Sequence, residues 1–136
     1  SMQPTLQDGQ KVMINKLSPS IDEIEVGDII IFSDPQNENR DLIKRVIALP
    51  GQRVEILANN QIKVANKLIE ENYIHRSGFP RSWSYDDETV GTDELWVMGD
   101  NRGNSKDSRT FGPIKVSTIR GRVVLRLWPI ADARSF

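Results

Sequence analysis

Cysteine is absent from this 136-residue sequence, and histidine occurs only once, at His75. The absence of cysteine excludes disulfides, thiolate nucleophiles and cysteine-based metal sites. One histidine is too few for a structural zinc site, and a Ser-His-Asp protease would depend on His75 alone. We therefore expect no metal centre, and we expect no cofactor.

Long apolar runs and a surplus of either charge are also missing. Apolar runs such as residues 29–32 are short, whereas a membrane-spanning helix needs about 18 apolar residues or more. The formal net charge is −1 at pH 7, so no basic surplus can neutralise phosphates and we expect no nucleic-acid partner. Hydrophobic residues make up 38% and charged residues 27%, which is typical of one globular domain, residues 1–136.

Short apolar runs separated by turn residues predict a mostly antiparallel β-protein. Helical signals are confined to residues 18–26 and 117–120. Asn59-Asn60 predicts a hairpin between the strands before and after it. Strands are expected at residues 12–14, 29–32, 42–49, 53–57, 62–64, 95–98 and 123–127.

The composition changes between about residues 59 and 92, where the chain becomes polar and rich in Gly, Pro, Asp and Glu. This segment separates two stretches that carry the buried-strand patterns. We therefore predict a second small lobe, residues 59–92, inserted into a core formed by residues 1–58 and 93–136.

Lys44 stands out because apolar residues flank it on both sides. Side chains alternate between the faces of a strand, so Lys44 shares a face with Leu42 and Val46. An inward-facing lysine is desolvated, which lowers its pKa and favours the neutral amine that a general base requires. The alternative is a solvent-facing lysine on a half-buried strand, the commoner position for this residue type.

Two further segments hold candidate chemistry. Ser1 can act as a nucleophile if a base removes its proton, and lysine is one such base when no histidine is available. Alternatively, Ser1 is a remnant of tag removal or an N-terminal nucleophile that uses its own amine. Residues 98–109 combine turn formers with Asp100, Arg102, Asp107 and Arg109, whose charges could rigidify a loop beside a site or lie on a plain surface loop.

Four segments resemble the conserved boxes of type I signal peptidases, and they occur in the family's order. They are residues 1–6 (SMQPTL), 27–32 (GDIIIF), 44–51 (KRVIALPG) and 99–109 (GDNRGNSKDSR), the last followed by Gly112-Pro113. Leu127-Trp128-Pro129 is similar to the family's C-terminal end. The resemblance covers nearly the whole chain except residues 59–92, and four boxes in register are a specific signal.

The resemblance implies a role for individual residues. Ser1 would be the nucleophile, Lys44 the general base and the Ser1 backbone amide an oxyanion donor. Ser105 would hydrogen-bond the lysine amine. Two supporting ion pairs are implied, Asp107 with Arg109 and Asp100 with Arg45. The substrate pockets would be lined by Met2, Leu6, Val12, Leu42 and Ile43.

The implied fold is an antiparallel β-sheet catalytic core with a second small β lobe inserted in it. The implied activity is a membrane-associated serine endopeptidase that removes signal peptides from secreted preproteins after an Ala-x-Ala-like site. Its catalytic domain would lie on the extracytoplasmic side of the plasma membrane, and we expect an anchor that normally precedes the first box. The alternatives are a self-cleaving Ser–Lys protease of the LexA type and a catalytically silent module that binds peptides along a β edge.

An enzyme that meets its substrates at the bilayer is expected to touch lipid itself. We predict an exposed apolar strip near Ser1 as the membrane contact, because tryptophan and other large apolar side chains favour the membrane interface. The candidates for this strip are Met2, Leu6, Phe111 and Trp128; the alternative is that the aromatic residues lie in the core, the commoner position for Trp and Phe in strands.

Overall fold

The computed structural model describes residues 2, 11–15, 23–57, 61–69, 87–103, 105–128 and 134–135, with the backbone alone at residues 11–15, 124–128 and 134–135. Its strands are β1 (Lys11–Asn15), β2 (Ile29–Asp34), β3 (Asn37–Ala48), β4 (Arg53–Ile56), β5 (Ile62–Val64), β6 (Lys67–Leu68), β7 (Glu88–Thr89), β8 (Glu94–Met98), β9 (Ile114–Lys115), β10 (Ile119–Trp128) and β11 (Arg134–Ser135). A single-turn helix, α1 (Ser108–Phe111), and a 3-10 turn (Val116–Thr118) complete the described elements.

The larger of the two sheets found in the described segments has seven strands in the order β1-β10-β2-β3-β8-β9, with β11 paired to β10. All of its pairs are antiparallel. The hairpin of β2 and β3 lies at its centre, and there Lys44 is the Cα partner of Ile30. The predicted mostly antiparallel β-fold is confirmed.

The smaller sheet has four strands in the order β6-β5-β4-β7. The predicted hairpin of β4 with β5 is confirmed, since Val54 pairs with Val64 and Ile56 with Ile62. Its turn at Asn59-Asn60 lies outside the described residues. The sheet begins at Arg53, before the predicted start of the inserted lobe at residue 59. The division into core and inserted lobe stays a prediction.

Buried side chains cover both faces of the central strands. From β2, Ile30 and Phe32 pack on one face in a cluster with Val46 and Val97. Ile29 and Ile31 pack on the other face in a second cluster. A third cluster joins the two sheets and contains Ile47, Val54, Ile62, Trp96 and Met98 among others. The run of apolar residues in β2 is continuous because neither of its faces meets water.

The two predicted helical turns are found only in part. Of residues 117–120, only the first two belong to the 3-10 turn, because Ile119 already pairs with Phe32 as the start of β10. Of the predicted turn within residues 18–26, Glu23 is in 3-10 conformation and residues 24–26 are not helical; residues 18–22 lie outside the described residues. No helix in the described parts of the chain has the length and apolar character needed to cross a membrane.

Phe32 provides a test of this packing. Its side chain is fully buried, and Phe32→Ala is expected to lower the free energy of unfolding by about 3–5 kcal/mol through lost burial and the cavity left behind. Leu68→Ala is the matched control, because Leu68 is 55% exposed and its loss should stay within about 0.5 kcal/mol. Equal effects of the two substitutions in urea denaturation would contradict the assigned core.

Candidate active site

Lys44 lies in the middle of β3 with its side chain directed into the protein. It is 2% exposed, and Val46 on the same face of the strand is fully buried. The sequence left the direction of this side chain open; it points inward, so the alternative of a solvent-facing lysine is wrong. A lysine side chain is seldom buried to this degree without a partner, which makes its surroundings informative.

The Lys44 amine has both a hydrogen-bond partner and an altered proton affinity. Its Nζ donates to Oγ of Ser105 over 3.1 Å. Burial lowers the pKa of Lys44 from 10.5 to about 8, against the opposing pull of the Asp107 carboxylate and with a smaller contribution from the Arg109 guanidinium in the same direction. A substantial fraction of Lys44 is therefore neutral near physiological pH, and a neutral amine can accept a proton.

Asp107 fixes the loop that carries Ser105. It is fully buried and is the N-cap of α1, where its Oδ1 accepts from the Arg109 backbone amide over 3.1 Å. The same carboxylate accepts from Arg109 Nε and Nη2, each over 2.9 Å, and from the Gly99 amide over 3.0 Å. Since Gly99 directly follows β8, these bonds fasten the loop to the sheet.

A second ion pair lies further along β3. Arg45 donates from Nε and Nη2 to the two oxygens of the fully buried Asp100, over 2.9 and 2.8 Å. Its Nη1 also donates to the Gly27 carbonyl over 2.9 Å. Arg102, 1% exposed, donates from Nε to the Gly99 carbonyl over 2.7 Å. The loop after β8 is thus held to the hairpin by bidentate, charge-assisted hydrogen bonds.

Lys44 and Ser105 open onto a cleft of about 520 Å³. Leu42 and Thr110 contribute to its wall, together with the two cationic side chains Arg40 and Lys106. Among the residues that the structure describes, no three acidic or histidine side chains are grouped closely enough to hold a metal ion. The chemistry available to the described side chains is that of an amine, a hydroxyl and paired charges.

The remaining predicted site residues are distributed on both sides of the sheet. Leu42 lines the cleft, whereas Ile43 and Met2 pack together in the cluster on the opposite face. The backbone of Val12 pairs with Arg126, and its side chain lies outside what the structure describes. Ser1 and Leu6 are also outside the described residues.

The predicted lipid-facing strip requires a correction. Met2 is 4% exposed and belongs to the core. Phe111 packs its ring edge against Phe32, with 6.3 Å between centroids. Met2 therefore fills the interior and is not part of an exposed strip, whereas Phe111 is half-buried at the edge of the core. Leu6 and the Trp128 side chain lie outside the described residues.

The order of these residues along the chain can be compared with known families. A family profile described as "Signal peptidase, peptidase S26" matches residues 1–128. This chain belongs to that family.

Relatives within the signal peptidase family resemble the chain along almost its full length. The chain is 36% identical over 135 residues to "Probable signal peptidase I-2" of Synechocystis, covering 96% of this chain and 60% of the relative. It is 34% identical over 147 residues to "Signal peptidase IB" of Staphylococcus aureus, covering 97% of this chain and 75% of the relative. It therefore spans about 60% of the length of the Synechocystis relative.

A solved signal peptidase shares the fold. The crystal structure of a signal peptidase I from Enterococcus faecalis superposes with a TM-score of 0.62 at 30% identity, covering 76% of this chain and 98% of that one. The predicted signal-peptidase-like β-fold is confirmed by this similarity.

Sequence reasoning missed one buried group beside the cleft, Asp34. It is fully buried at the end of β2 and lies within hydrogen-bond distance of the cleft cations Arg40 and Lys106. A carboxylate that ends an apolar strand is a weak signal, because the same pattern also marks an ordinary turn.

The Asp107–Arg109 pair gives a stability prediction. Asp107→Ala leaves the buried Arg109 guanidinium without its carboxylate and is expected to lower the free energy of unfolding by about 3–5 kcal/mol. Adding Arg109→Met removes the stranded charge and should recover much of this loss. Asp93→Ala is the control, because the Asp93–Lys115 pair is exposed and such pairs contribute about 0–1 kcal/mol. A loss for Asp107→Ala no larger than this control would contradict the assignment.

The lowered pKa of Lys44 predicts a pH dependence of stability. Between pH 8 and 10.5 the unfolded chain keeps the Lys44 proton that the folded protein has released, so stability rises with pH in this window. Relative to Lys44→Met, the free energy of unfolding should therefore gain up to about 3 kcal/mol across the window. Denaturation of both proteins at each pH gives the difference, and a flat difference would show that Lys44 titrates normally.

Proposed function

We propose that this chain carries the catalytic centre of a serine endopeptidase that removes signal peptides from preproteins, with Lys44 as general base and Ser1 as nucleophile. One observation carries the proposal: a lysine amine 2% exposed, hydrogen-bonded to Ser105, has its pKa lowered to about 8 beside an open cleft. Membership of the signal peptidase family supports the choice of reaction.

The chemistry follows from an amine that can gain and release a proton. The neutral Lys44 amine takes the proton of the Ser1 hydroxyl as its oxygen attacks the scissile carbonyl. The tetrahedral oxyanion accepts a hydrogen bond from the Ser1 backbone amide. The Lys44 ammonium then protonates the leaving amine, and the acyl-enzyme remains. Water, deprotonated by Lys44, attacks this ester, and return of the proton to Ser1 releases the signal peptide.

The surrounding groups adjust the geometry and charge of the base. Ser105 accepts a hydrogen bond from the amine and so limits the directions in which Lys44 can point. The Asp107 carboxylate raises the pKa of Lys44, which favours the ammonium that forms during attack. Asp107 and Arg109 keep the Ser105 loop in place, and Arg45 with Asp100 anchors the same loop from the neighbouring position on β3. These four residues act through Ser105 and Lys44, as positioning residues.

Substrate recognition follows from the sheet edge and its apolar side chains. The substrate would extend as an added β-strand beside the part of β3 that precedes Arg45, because β8 pairs with β3 only from Arg45 onwards. Leu42 lines the cleft, and we assign the pockets for small residues of an Ala-x-Ala-like site to Met2, Leu6, Val12, Leu42 and Ile43. In this assignment Met2 and Ile43 contribute from the opposite face of the sheet, because they pack together on the face that does not carry Lys44.

The place of action follows from the substrate. Signal peptides are apolar segments that engage the membrane, so the preprotein presents its cleavage site at the bilayer surface. We propose that the catalytic part works at the extracytoplasmic side of the plasma membrane. Since Met2 is packed inside the protein, contact with lipid rests on residues other than Met2.

Cleavage of a preprotein tests the assignment of base and nucleophile. Lys44→Met and Ser1→Ala are each expected to abolish cleavage after an Ala-x-Ala site, because either one removes half of the proton transfer. Lys67→Met is the matched control, since Lys67 is exposed in the smaller sheet. Each variant should be assayed beside the parent protein by mass spectrometry of the products.

The outcomes separate the possible functions. Cleavage by Lys44→Met above a few per cent of the parent rate would refute the Ser–Lys mechanism. Cleavage of the chain itself, with no cleavage of preproteins, would indicate a self-processing protease. Saturable peptide binding by the parent protein without any cleavage would indicate a silent binding module.

A further inference from the structure

Asp34 is a buried carboxylate that the proposed mechanism does not use. It is the last residue of β2 and is fully buried. Its Oδ1 accepts from the Gln36 backbone amide over 2.9 Å, and its Oδ2 accepts from Arg40 Nη2 over 3.1 Å and Lys106 Nζ over 3.4 Å. A buried charge is costly unless it is paired, so these contacts explain how Asp34 can remain an anion there.

The charge state of Asp34 follows from the same contacts. Burial alone would raise the pKa of Asp34, but the hydrogen bond from Gln36 and the Lys106 ammonium hold it below its ordinary value. Asp34 is therefore ionised at neutral pH. Its two cationic partners are themselves partly exposed, with 57% of the Arg40 side chain and 36% of the Lys106 side chain accessible, and they reach inward to a fixed anion.

The backbone around Asp34 is shaped to bring these groups together. The ladder between β2 and β3 passes from the pair Ser33–Asp41 to the pair Asp34–Asn37, so residues 38–40 have no Cα partner in β2. Such a bulge bends a strand and redirects its side chains, and bulges are common next to active sites. Here the bulge includes Arg40, which contacts Asp34 and lines the cleft.

Lys106 connects this cluster to the base. It directly follows Ser105, the residue that accepts from the Lys44 amine, and all three side chains line the same cleft. Asp107, the residue after Lys106, holds the same loop through its bonds to Gly99 and Arg109. Ser105 is therefore followed directly by two residues, Lys106 and Asp107, that buried carboxylate interactions hold in place.

We propose that Asp34 is a positioning residue of this active site, which ties the Ser105–Lys106 segment to the β2–β3 hairpin and so keeps the Ser105 hydroxyl at the Lys44 amine. The inference rests on the proposed role of Lys44 as base. Asp34 touches neither substrate nor the reacting atoms. It acts through Lys106 and Ser105.

The charge of Asp34 has a second, measurable effect on Lys44. The Asp107 and Asp34 carboxylates raise the pKa of Lys44, whereas burial and the guanidinium groups of Arg109 and Arg40 lower it. Removing the charge of Asp34 should therefore lower the pKa of Lys44, and removing that of Arg40 should raise it. A purely structural role of Asp34 would not move the pH profile in these opposite directions.

The test compares pH profiles of preprotein cleavage. Asp34→Asn keeps the size of the side chain and an oxygen for the Gln36 amide but removes the charge. We expect its maximal kcat to fall about tenfold or more with KM changed less than about twofold, because a Ser105 that no longer holds the Lys44 amine in place slows the reaction more than it weakens binding. We also expect the acid limb of its pH profile to move to lower pH. Arg40→Gln should move the acid limb to higher pH.

Two further variants isolate the link through Lys106. Lys106→Met should lower the maximal kcat as Asp34→Asn does, and Lys106→Arg should restore most of it by keeping the ion pair. Asp41→Asn is the matched control on the same hairpin, because the Asp41–Arg120 pair is exposed on both sides. It should leave kcat and the acid limb unchanged.

Amide hydrogen exchange distinguishes a failure of the role proposed for Asp34 from a failure of the proposed function. If Lys44→Met remains active, Lys44 is not the general base. Amide hydrogen exchange in residues 105–110 then still tests whether Asp34 holds the Ser105–Lys106 segment to the β2–β3 hairpin. Asp34→Asn and Lys106→Met should both speed that exchange about tenfold, whereas Asp41→Asn should not. Unchanged kcat, acid limb and exchange in Asp34→Asn would overturn the role of Asp34.

Discussion

The burial of one lysine amine is the constraint on which the site depends. Lys44 lies in the central hairpin of the larger sheet, where burial lowers its pKa to about 8. A charged amine in that position is disfavoured, so the protein has to supply either a compensating anion or an easy route to the neutral form. The Asp107 and Asp34 carboxylates supply part of the compensating negative charge, and the lowered pKa makes the neutral amine accessible.

The loop after β8 provides the fixed partner that such a base requires. Ser105 lies in irregular chain between β8 and α1, so no helix or strand fixes its position. Its position is set by neighbours: the cap by Asp107, the Arg45–Asp100 pair and the contact of Lys106 with Asp34. These bonds use buried carboxylates with several donors each, which is the arrangement that makes a charged hydrogen-bond network stiff.

Much of the fold could be predicted from local sequence patterns. A strand that is buried on both faces, such as β2, requires a continuous apolar run, and that run is visible in the sequence. Strand alternation placed Lys44 on one face with Leu42 and Val46, but it left open whether that face is buried, because apolar residues occupy both faces of this strand. The supporting pairs came from the family resemblance and not from spacing. Asp34 was missed because its partners Arg40 and Lys106 are 6 and 72 residues away, and only the bulge and the loop bring them together. Met2 was wrongly assigned to the lipid strip, because it fills the core; the strip itself stays a prediction.

The most direct test is to titrate the Lys44 amine itself. Heteronuclear NMR of the lysine Cε and Hε resonances, assigned by comparison with Lys44→Met, reports the pKa of this one group in the folded protein. The account predicts a midpoint near 8 for Lys44. A midpoint at about 10.4, the value for lysine in water, would contradict a desolvated Lys44 and remove the basis for its role as general base.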